Sequence, residues 1–228
     1  MSTVLITGAN RGIGLELARA YAKRGDRVLA CCREPGKASV LGALGSNVEV
    51  LALDVADAGS VAALAARLAG QPIDILINNA GIIGPPMEKQ TAFEMDFDGW
   101  AETFAVNSMA PVRVMQALLP NLRASQHGRV ASITSQMGAI SLQMPQAFAY
   151  CASKAALNKF MRLAAPALAA EGIHLCVIHP GWVQTDMGGA GAAITPAESA
   201  AGIVANIDRL DAKTTGSFWK WNGETHEW

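Results

Sequence analysis

The sequence predicts an α/β protein: one doubly wound parallel sheet of about seven strands with helices on both faces, forming a single domain over residues 1–228. Two observations carry this. Short β-branched runs alternate with longer alanine- and leucine-rich segments of helical period, the pattern of parallel strands joined by crossover helices. No linker, repeat or shift in composition interrupts the alternation, and 228 residues, 51% of them apolar, suit one substantial core.

Taken in order, the strands are Val4 to Thr7 (VLIT), Arg27 to Cys32 (RVLACC), Val48 to Leu53 (VEVLAL) and Ile73 to Asn78 (IDILIN), followed by Gly128 to Thr134 (GRVASIT), Ile173 to His179 (IHLCVIH) and Ser217 to Lys220 (SFWK). Each is short and rich in Val, Ile or aromatic residues. Helical period marks 12–24, 57–69, 99–119, 147–170 and 195–209, and a poorer segment near 36–44. Ligands of such sheets bind at the carboxyl ends of the strands, beside the point where the strand order reverses. Every chemistry-bearing motif below follows a predicted strand.

Composition narrows the function. Eighteen basic and 19 acidic residues leave a net charge of −1, which offers no electrostatic footprint for nucleic acid. No apolar run approaches the roughly 18–20 residues of a membrane span, and the N-terminus enters a strand directly, so the chain reads as cytoplasmic and not bound to a membrane. Cys31, Cys32, Cys151 and Cys176 form no C-x-x-C pair, and His127, His174, His179 and His226 show no H-x-x-x-H spacing. The expectation is therefore no metal, with the cysteines as small core residues.

The first strand runs into TGANRGIG, residues 7–14. Gly8 follows the strand, Gly12 allows close backbone approach to a ligand, and Gly14 lets the helix lie tight on the sheet, with free N–H groups and the positive helix end facing an anion. A pyrophosphate suits that site. The spacing is G-x-x-x-G-x-G, and a charged Arg11 stands inside it. Tyr150, one of only two tyrosines, precedes Lys154 by four positions, so both share one helix face. A phenol with a pKa near 10 needs a stabilised anion to work as an acid–base group near neutral pH, and a neighbouring ammonium provides that. Ser135 closes the strand RVASITS at the cleft; Ser132, the other candidate, lies three residues earlier and faces the opposite side by the period of two.

With LDV at 53–55, NNAG at 78–81, Asn107, Ser135, YCASK at 150–154 and HPGWVQTDM at 179–187, the chain resembles the short-chain dehydrogenase/reductase family. Within it, TGANRGIG, HPGWVQTDM and the closing GSFWKWNGE are most similar to the carbonyl reductase and C-factor group. The resemblance implies a Rossmann fold and hydride transfer between a nicotinamide and a carbonyl or alcohol, with Tyr150 as general acid/base and Ser135 holding the substrate oxygen. Lys154 lowers the tyrosine pKa and bonds the nicotinamide ribose, and Asn107 anchors a water leading to solvent. It also implies cofactor contacts from Gly8, Asn10, Arg11, Gly12, Ile13 and Gly14. Asp54 and Val55 would lie at the adenine, Asn79, Ala80 and Gly81 along the middle, and Pro180, Gly181, Val183 and Thr185 at the nicotinamide.

In dinucleotide enzymes that use NAD, an acid after the second strand usually binds the ribose hydroxyls. This strand ends ACCRE, with Cys32 and Arg33 at that place. Arg33 with Arg11 can grip a 2′-phosphate, so NADP(H) is the expected cofactor; Glu34 weighs the other way.

Met137, Met144, Phe148, Trp182 and Met187 form the expected apolar substrate wall, and Gly188 to Ile194 a mobile lid. Pro111, four residues after Asn107, has no N–H for the Asn107 carbonyl, which predicts a bend there and a carbonyl free to hold the water connecting to Lys154. The family further implies a homo-oligomer, dimer or tetramer, through the helices at 99–119 and 147–170. An NADP-binding regulatory or signalling protein of the same fold is the alternative; it would lose the tyrosine, lysine or serine, and all three are here. A nucleotide-sugar epimerase shares Y-x-x-x-K but has a longer chain.

Overall fold

The computed structural model describes residues 1–228. Seven strands form one parallel sheet in the order β3-β2-β1-β4-β5-β6-β7. They are β1 (Thr3–Thr7), β2 (Arg27–Cys32), β3 (Val48–Ala52), β4 (Ile75–Asn78), β5 (Arg129–Ile133), β6 (His174–His179) and β7 (Ser217–Lys220). The chain winds outward through β2 and β3, then crosses back to lay β4 on the other side of β1, with Val4 opposite Val28 on one side and Ile75 on the other. That reversal opens a crevice beyond the carboxyl ends of β1 and β4.

Alternation along the strands divides the core in two. Leu5, Leu29, Leu76, Val130 and Leu175 face one cluster with α3 (Ala58–Arg67), α5 (Ala110–Ala117) and α7 (Phe148–Ala169). Val4, Ile6, Val28, Ile77 and Ile178 face the other with α1 (Gly12–Arg24) and α8 (Pro196–Asp208). Both faces are apolar because both are covered. Truncating one of these, such as the fully buried Leu5 to Ala, removes about 2–5 kcal/mol. No helix is long and apolar enough to cross a membrane.

The expected helix at 99–119 is three pieces: α4 (Phe97–Phe104), a π-helical turn at Ala105–Met109, and α5. Pro111 supplies no N–H, and the wider turn absorbs the defect around Asn107. The chain breaks again at Leu118 before α6 (Leu119–Arg123), with Pro120 in its first turn. The segment near 36–44 is a 3₁₀ turn at Pro35–Lys37 and the short α2 (Ser39–Gly42).

Helix starts differ in a way that matters for the site. α3, α4 and α8 are capped by their own Asp57, Asp96 and Thr195, the last in a reciprocal box with Glu198. α1 and α7 have no side-chain cap of their own.

Candidate active site

The glycine loop is a cradle that side chains would fill. Gly8 and Gly12 have φ of +64° and +52°, in the left-handed region. A Cβ on Gly14 would lie 2.3 Å from the Gly8 carbonyl oxygen and 2.6 Å from Asn79 Nδ2. α1 therefore begins with bare N–H groups and no acidic residue in its first turn, an environment complementary to an anion. Thr7 and Asn79 hold the cradle: Thr7 Oγ1 accepts from the Asn79 and Ala80 N–H groups at 3.0 Å each, and Asn79 Nδ2 donates to the Thr7 and Gly8 carbonyls at 3.0 and 3.1 Å. The Asn79 Nδ2 group is spent on the loop, so this residue braces the cradle.

Arg11 is engaged from across the cleft. Its guanidinium is ion-paired with Asp186 of the loop after β6, both side chains well exposed (64% and 78%). A 2′-phosphate would have to draw it away from that carboxylate. Arg33 is exposed and makes no ion pair, while Glu34, the residue that weighed against NADP, is engaged by Lys37. Asn10 is exposed in the loop, and Ile13 is half-buried in the first turn of α1. Asp54 accepts from the Ala56 N–H at 3.0 Å in a local turn, and Val55 is held through its carbonyl by Arg113. Asp57, not Asp54, caps the following helix.

The catalytic candidates converge. Tyr150 and Lys154 are buried on one face of α7, with Lys154 Nζ 5.8 Å from the Tyr150 ring centre. Nζ donates to the Ile133 carbonyl at 2.9 Å, which anchors it to the end of β5. Ser135 lies just past that strand and caps a one-turn helix by accepting from the Met137 N–H at 3.1 Å. Ser132 is fully buried and meets Asn78 Nδ2 at 3.3 Å, away from the cleft. Burial pushes the Tyr150 phenol up to about 12 against the Ser135 hydroxyl, which lowers it. Burial pulls the Lys154 ammonium down to about 8.

Asn107 is fully buried, and its side chain is committed. Oδ1 accepts from the Ile82 N–H at 2.9 Å; Nδ2 donates to the Ile82 carbonyl at 2.8 Å and to Ser153 Oγ at 3.1 Å. Ser153 Oγ in turn donates to the Tyr150 carbonyl at 2.7 Å, and Ser108 Oγ to the Ser153 carbonyl at 2.7 Å. Any water held by Asn107 would thus be held by its main chain. Gly81 sits between: a Cβ there would lie 3.1 Å from Asn107 Oδ1 and 3.6 Å from Lys154 Nζ.

The expected substrate wall is divided. Met144 and Phe148 line an apolar cavity of about 510 Å³ with Met95, Trp100, Leu142, Gln143, Cys151 and Ala152. Met137, Trp182 and Met187 are not part of its lining, and Trp182 and Met187 are exposed. Period separates them: Phe148, Cys151 and Ala152 lie on a different face of α7 from Tyr150 and Lys154. The stretch 188–194, the expected lid, is bonded to the loop after β6 near both of its ends. Ile194 exchanges backbone bonds with Trp182 and Gln184, the Gly188 carbonyl accepts from Trp182 Nε1 at 2.8 Å, and Thr185 Oγ1 accepts from the Gly188 N–H at 3.2 Å. Pro180 and Gly181 are half-buried, Val183 is buried, and Thr185 meets the glycine loop, its Cγ2 3.2 Å from where a Gly12 Cβ would stand.

Residues 2–193 match the family model for short chain dehydrogenase. The chain belongs to the short-chain dehydrogenase family. It is 39% identical over 167 residues to the C-signal protein of Myxococcus xanthus, covering 73% of this chain and 99% of that one. It is 33% identical over 235 residues to 1-hydroxy-2-glutathionyl-2-methyl-3-butene dehydrogenase of Rhodococcus sp. strain AD45, with both chains covered in full. The fold is similar to that of NADPH-bound carbonyl reductase from chicken fatty liver, with a TM-score of 0.91 at 33% identity, covering 100% of this chain and 99% of that one. Membership accounts for the oxidoreductase architecture and the seven-stranded order. In this short-chain dehydrogenase the residues absent from the sequence reading are Asp186, Ser153, Ser108 and Gln90, whose buried amide meets the start of α7. Ser153 stands within YCASK, which was signal enough to find it; Gln90 has no motif around it.

Proposed function

We propose that the chain is an NADP(H)-dependent oxidoreductase that interconverts a small carbonyl compound and its alcohol, with Tyr150 as the proton donor and acceptor. The observation that carries this is the buried Tyr150–Lys154 pair beside Ser135, at the mouth of the same crevice as the glycine cradle. The cofactor fits these residues. The uncapped start of α1 with Gly8, Gly12 and Gly14 would hold the pyrophosphate, Arg33 and, once released by Asp186, Arg11 the 2′-phosphate, and Lys154 a ribose hydroxyl. When bound, the cofactor supplies the hydride.

The chain's own groups handle the proton and the geometry. Ser135 donates to the substrate oxygen and fixes it against the Tyr150 hydroxyl, which gives up its proton as negative charge develops there. With its pKa near 8, Lys154 is still mainly charged at pH 7, so it favours the phenolate left behind. The same value leaves it able to pass a proton on near neutral pH, through a water on the Asn107 main chain at the π-helical turn. Self-association belongs to the same reading: Met109, Phe160 and Leu163 present exposed apolar side chains on α5's approach and on α7. Sedimentation showing only monomer at micromolar concentration would count against that part.

The test is consumption of NADPH against benzaldehyde, hexanal, acetophenone and menadione, with NADH alongside and Tyr150→Phe as the control. Two charge-assisted contacts at roughly 1.5–3 kcal/mol each give NADPH at least a roughly tenfold advantage in affinity. Tyr150→Phe keeps NADPH binding and loses nearly all turnover. Equal affinity for the two cofactors, or an active Tyr150→Phe, refutes the reading. A wild type that binds NADPH but turns over no carbonyl favours a regulatory or signalling use of the same fold.

A further inference from the structure

The first turn of an α-helix leaves N–H groups without intrahelical partners, and most helices satisfy some of them with the side chain just before the helix. α7 has Ala147 at that place, in the left-handed region (φ 61°, ψ 40°) and with no side chain able to cap. The first intrahelical bond runs from the Cys151 N–H to the Ala147 carbonyl at 2.9 Å, so the N–H groups of Phe148 and Tyr150 need partners from elsewhere. Gln90 provides both. Its backbone carbonyl accepts from the Phe148 N–H at 3.2 Å, and its side-chain Oε1 accepts from the Tyr150 N–H at 3.3 Å.

Gln90 is fully buried in the loop between β4 and α4, 60 positions before Tyr150. The other end of its amide holds that loop: Nε2 donates to the Pro85 carbonyl at 2.6 Å and meets the Ile83 carbonyl at 3.3 Å. Ile83 directly follows Ile82, which Asn107 grips through both backbone groups, and Asn79 to Gly81 stand just before. One amide therefore joins the loop below the cofactor cradle to the turn that carries the tyrosine.

Resting on the functional reading above, we propose that Gln90 is a positioning residue for Tyr150: a cap supplied from the β4–α4 loop that fixes the first turn of α7, and with it the place of the phenol against Ser135. Tyr150 lies in that first turn. Lys154, one turn further on, is held independently by the Ile133 carbonyl and the backing of Gly138. Loss of the cap frays the turn that carries the tyrosine and leaves the lysine in place. Cofactor binding should then survive while proton transfer suffers. Burial raises the Tyr150 phenol most, the Ser135 hydroxyl lowers it and the Cys151 thiol raises it, while the charged group facing its ring is Lys154, with Nζ 5.8 Å from the ring centre.

Two variants test this. Gln90→Met keeps the volume and loses every bond of the amide. Gln90→Glu, while protonated, keeps one donor toward Pro85 and one acceptor toward Tyr150; once ionised it faces two carbonyl oxygens. For Gln90→Met, kcat with the fastest carbonyl of the panel should fall roughly 10–100-fold, as for a displacement near 1 Å. NADPH affinity by fluorescence titration should stay within about twofold. The alkaline limb of kcat should move, because fraying changes both the burial that raises the phenol and the Ser135 contact that lowers it. Hydrogen exchange should speed up at the Phe148 and Tyr150 amides and not beyond the second turn of α7. Gln90→Glu should approach wild-type kcat at the acid end and lose it as pH rises.

A Gln90→Met protein with wild-type kcat and an unmoved limb overturns the proposal. So does one that loses turnover and NADPH affinity in parallel. If the Met variant does not fold, the Glu variant decides, and a wild-type pH profile there refutes the role. A wild type that neither binds nor consumes NADPH defeats the functional reading instead, and the exchange measurement still tests the cap.

Discussion

Lys154 should destabilise the free protein, and Lys154→Met should reveal it. The ammonium is buried with one protein partner, the Ile133 carbonyl at 2.9 Å, and burial draws its pKa from 10.5 to about 8. A shift of that size corresponds to about 3 kcal/mol against the charged form. Methionine has similar length and no charge, but it leaves the Ile133 carbonyl unpaired, which returns part of the gain. The net at pH 7 is a stabilisation on the order of 1–2 kcal/mol, or a rise in Tm of roughly 2–8 °C. The sign with pH follows from proton binding: between pH 8 and 10.5 the unfolded wild type holds more protons than the folded one, so its stability climbs through that window and is flat below it. The advantage of Lys154→Met should therefore be full below pH 8 and should shrink toward pH 10. Urea or thermal unfolding without cofactor, at pH 7 and pH 10, measures both. A variant less stable than wild type at pH 7, or a difference that does not narrow by pH 10, would refute the reasoning.

Gly138 backs the same lysine: a Cβ there would come 2.8 Å from the Lys154 backbone carbon and Cβ and 3.0 Å from the Ala155 nitrogen. Gly138→Ala must push α7 outward by several tenths of an ångström, with a loss of about 1–3 kcal/mol in unfolding and a kcat reduced by up to about 10²-fold; wild-type values of both would show that the helix yields freely. Asp186→Asn releases Arg11 from an exposed ion pair worth about 0–1 kcal/mol, so NADPH should bind up to about fivefold more tightly while NADH is unaffected. Equal gains for both cofactors in fluorescence titration would show that Arg11 does not serve the 2′-phosphate.

The strands were legible because period and composition act locally: RVLACC and SFWK begin and end in the structure where the sequence places them. IDILIN starts two residues late, at Ile75, since the Ile73 N–H is taken by the Asn121 carbonyl outside the sheet. The π-helical turn was half legible. Pro111 announces a defect near Asn107, but nothing local decides between an open kink and a widened turn. The Tyr150–Lys154 face follows from helical spacing, and the glycine cradle from its spacing together with the strand before it and the helix after it. What spacing does not carry is pairing across the chain: Asp186 reaching Arg11 from 175 positions away, or Gln90 reaching Tyr150, in a segment with no signature. The five side chains of the expected substrate wall are divided for a related reason. Met144 and Trp182 are alike in chemistry, and only packing puts one in a cavity and the other on the surface.

The charged and reactive groups of this site sit in a polar frame, and the frame is continuous. Asn79 binds the glycine loop, and Gly81 leads to Ile82; Asn107 clamps Ile82 and meets Ser153, whose hydroxyl returns to the Tyr150 carbonyl. Each of these links is buried or half-buried, so breaking one leaves a polar group without water to replace its partner, a penalty of roughly 1–3 kcal/mol. Such a circuit restrains the glycine loop and the Tyr150 turn together, which apolar packing does only weakly because it lacks direction. That restraint is what an uncompensated Lys154 requires. A charge held in a dry site gains stability by moving toward water, and the Ile133 carbonyl, with the frame packed around it, keeps it beside the tyrosine. On this argument the destabilisation carried by Lys154 and the density of amide and hydroxyl bonds around it are two sides of one arrangement. Loosening the frame at Asn107 or Ser153 should release the lysine before it unfolds the sheet.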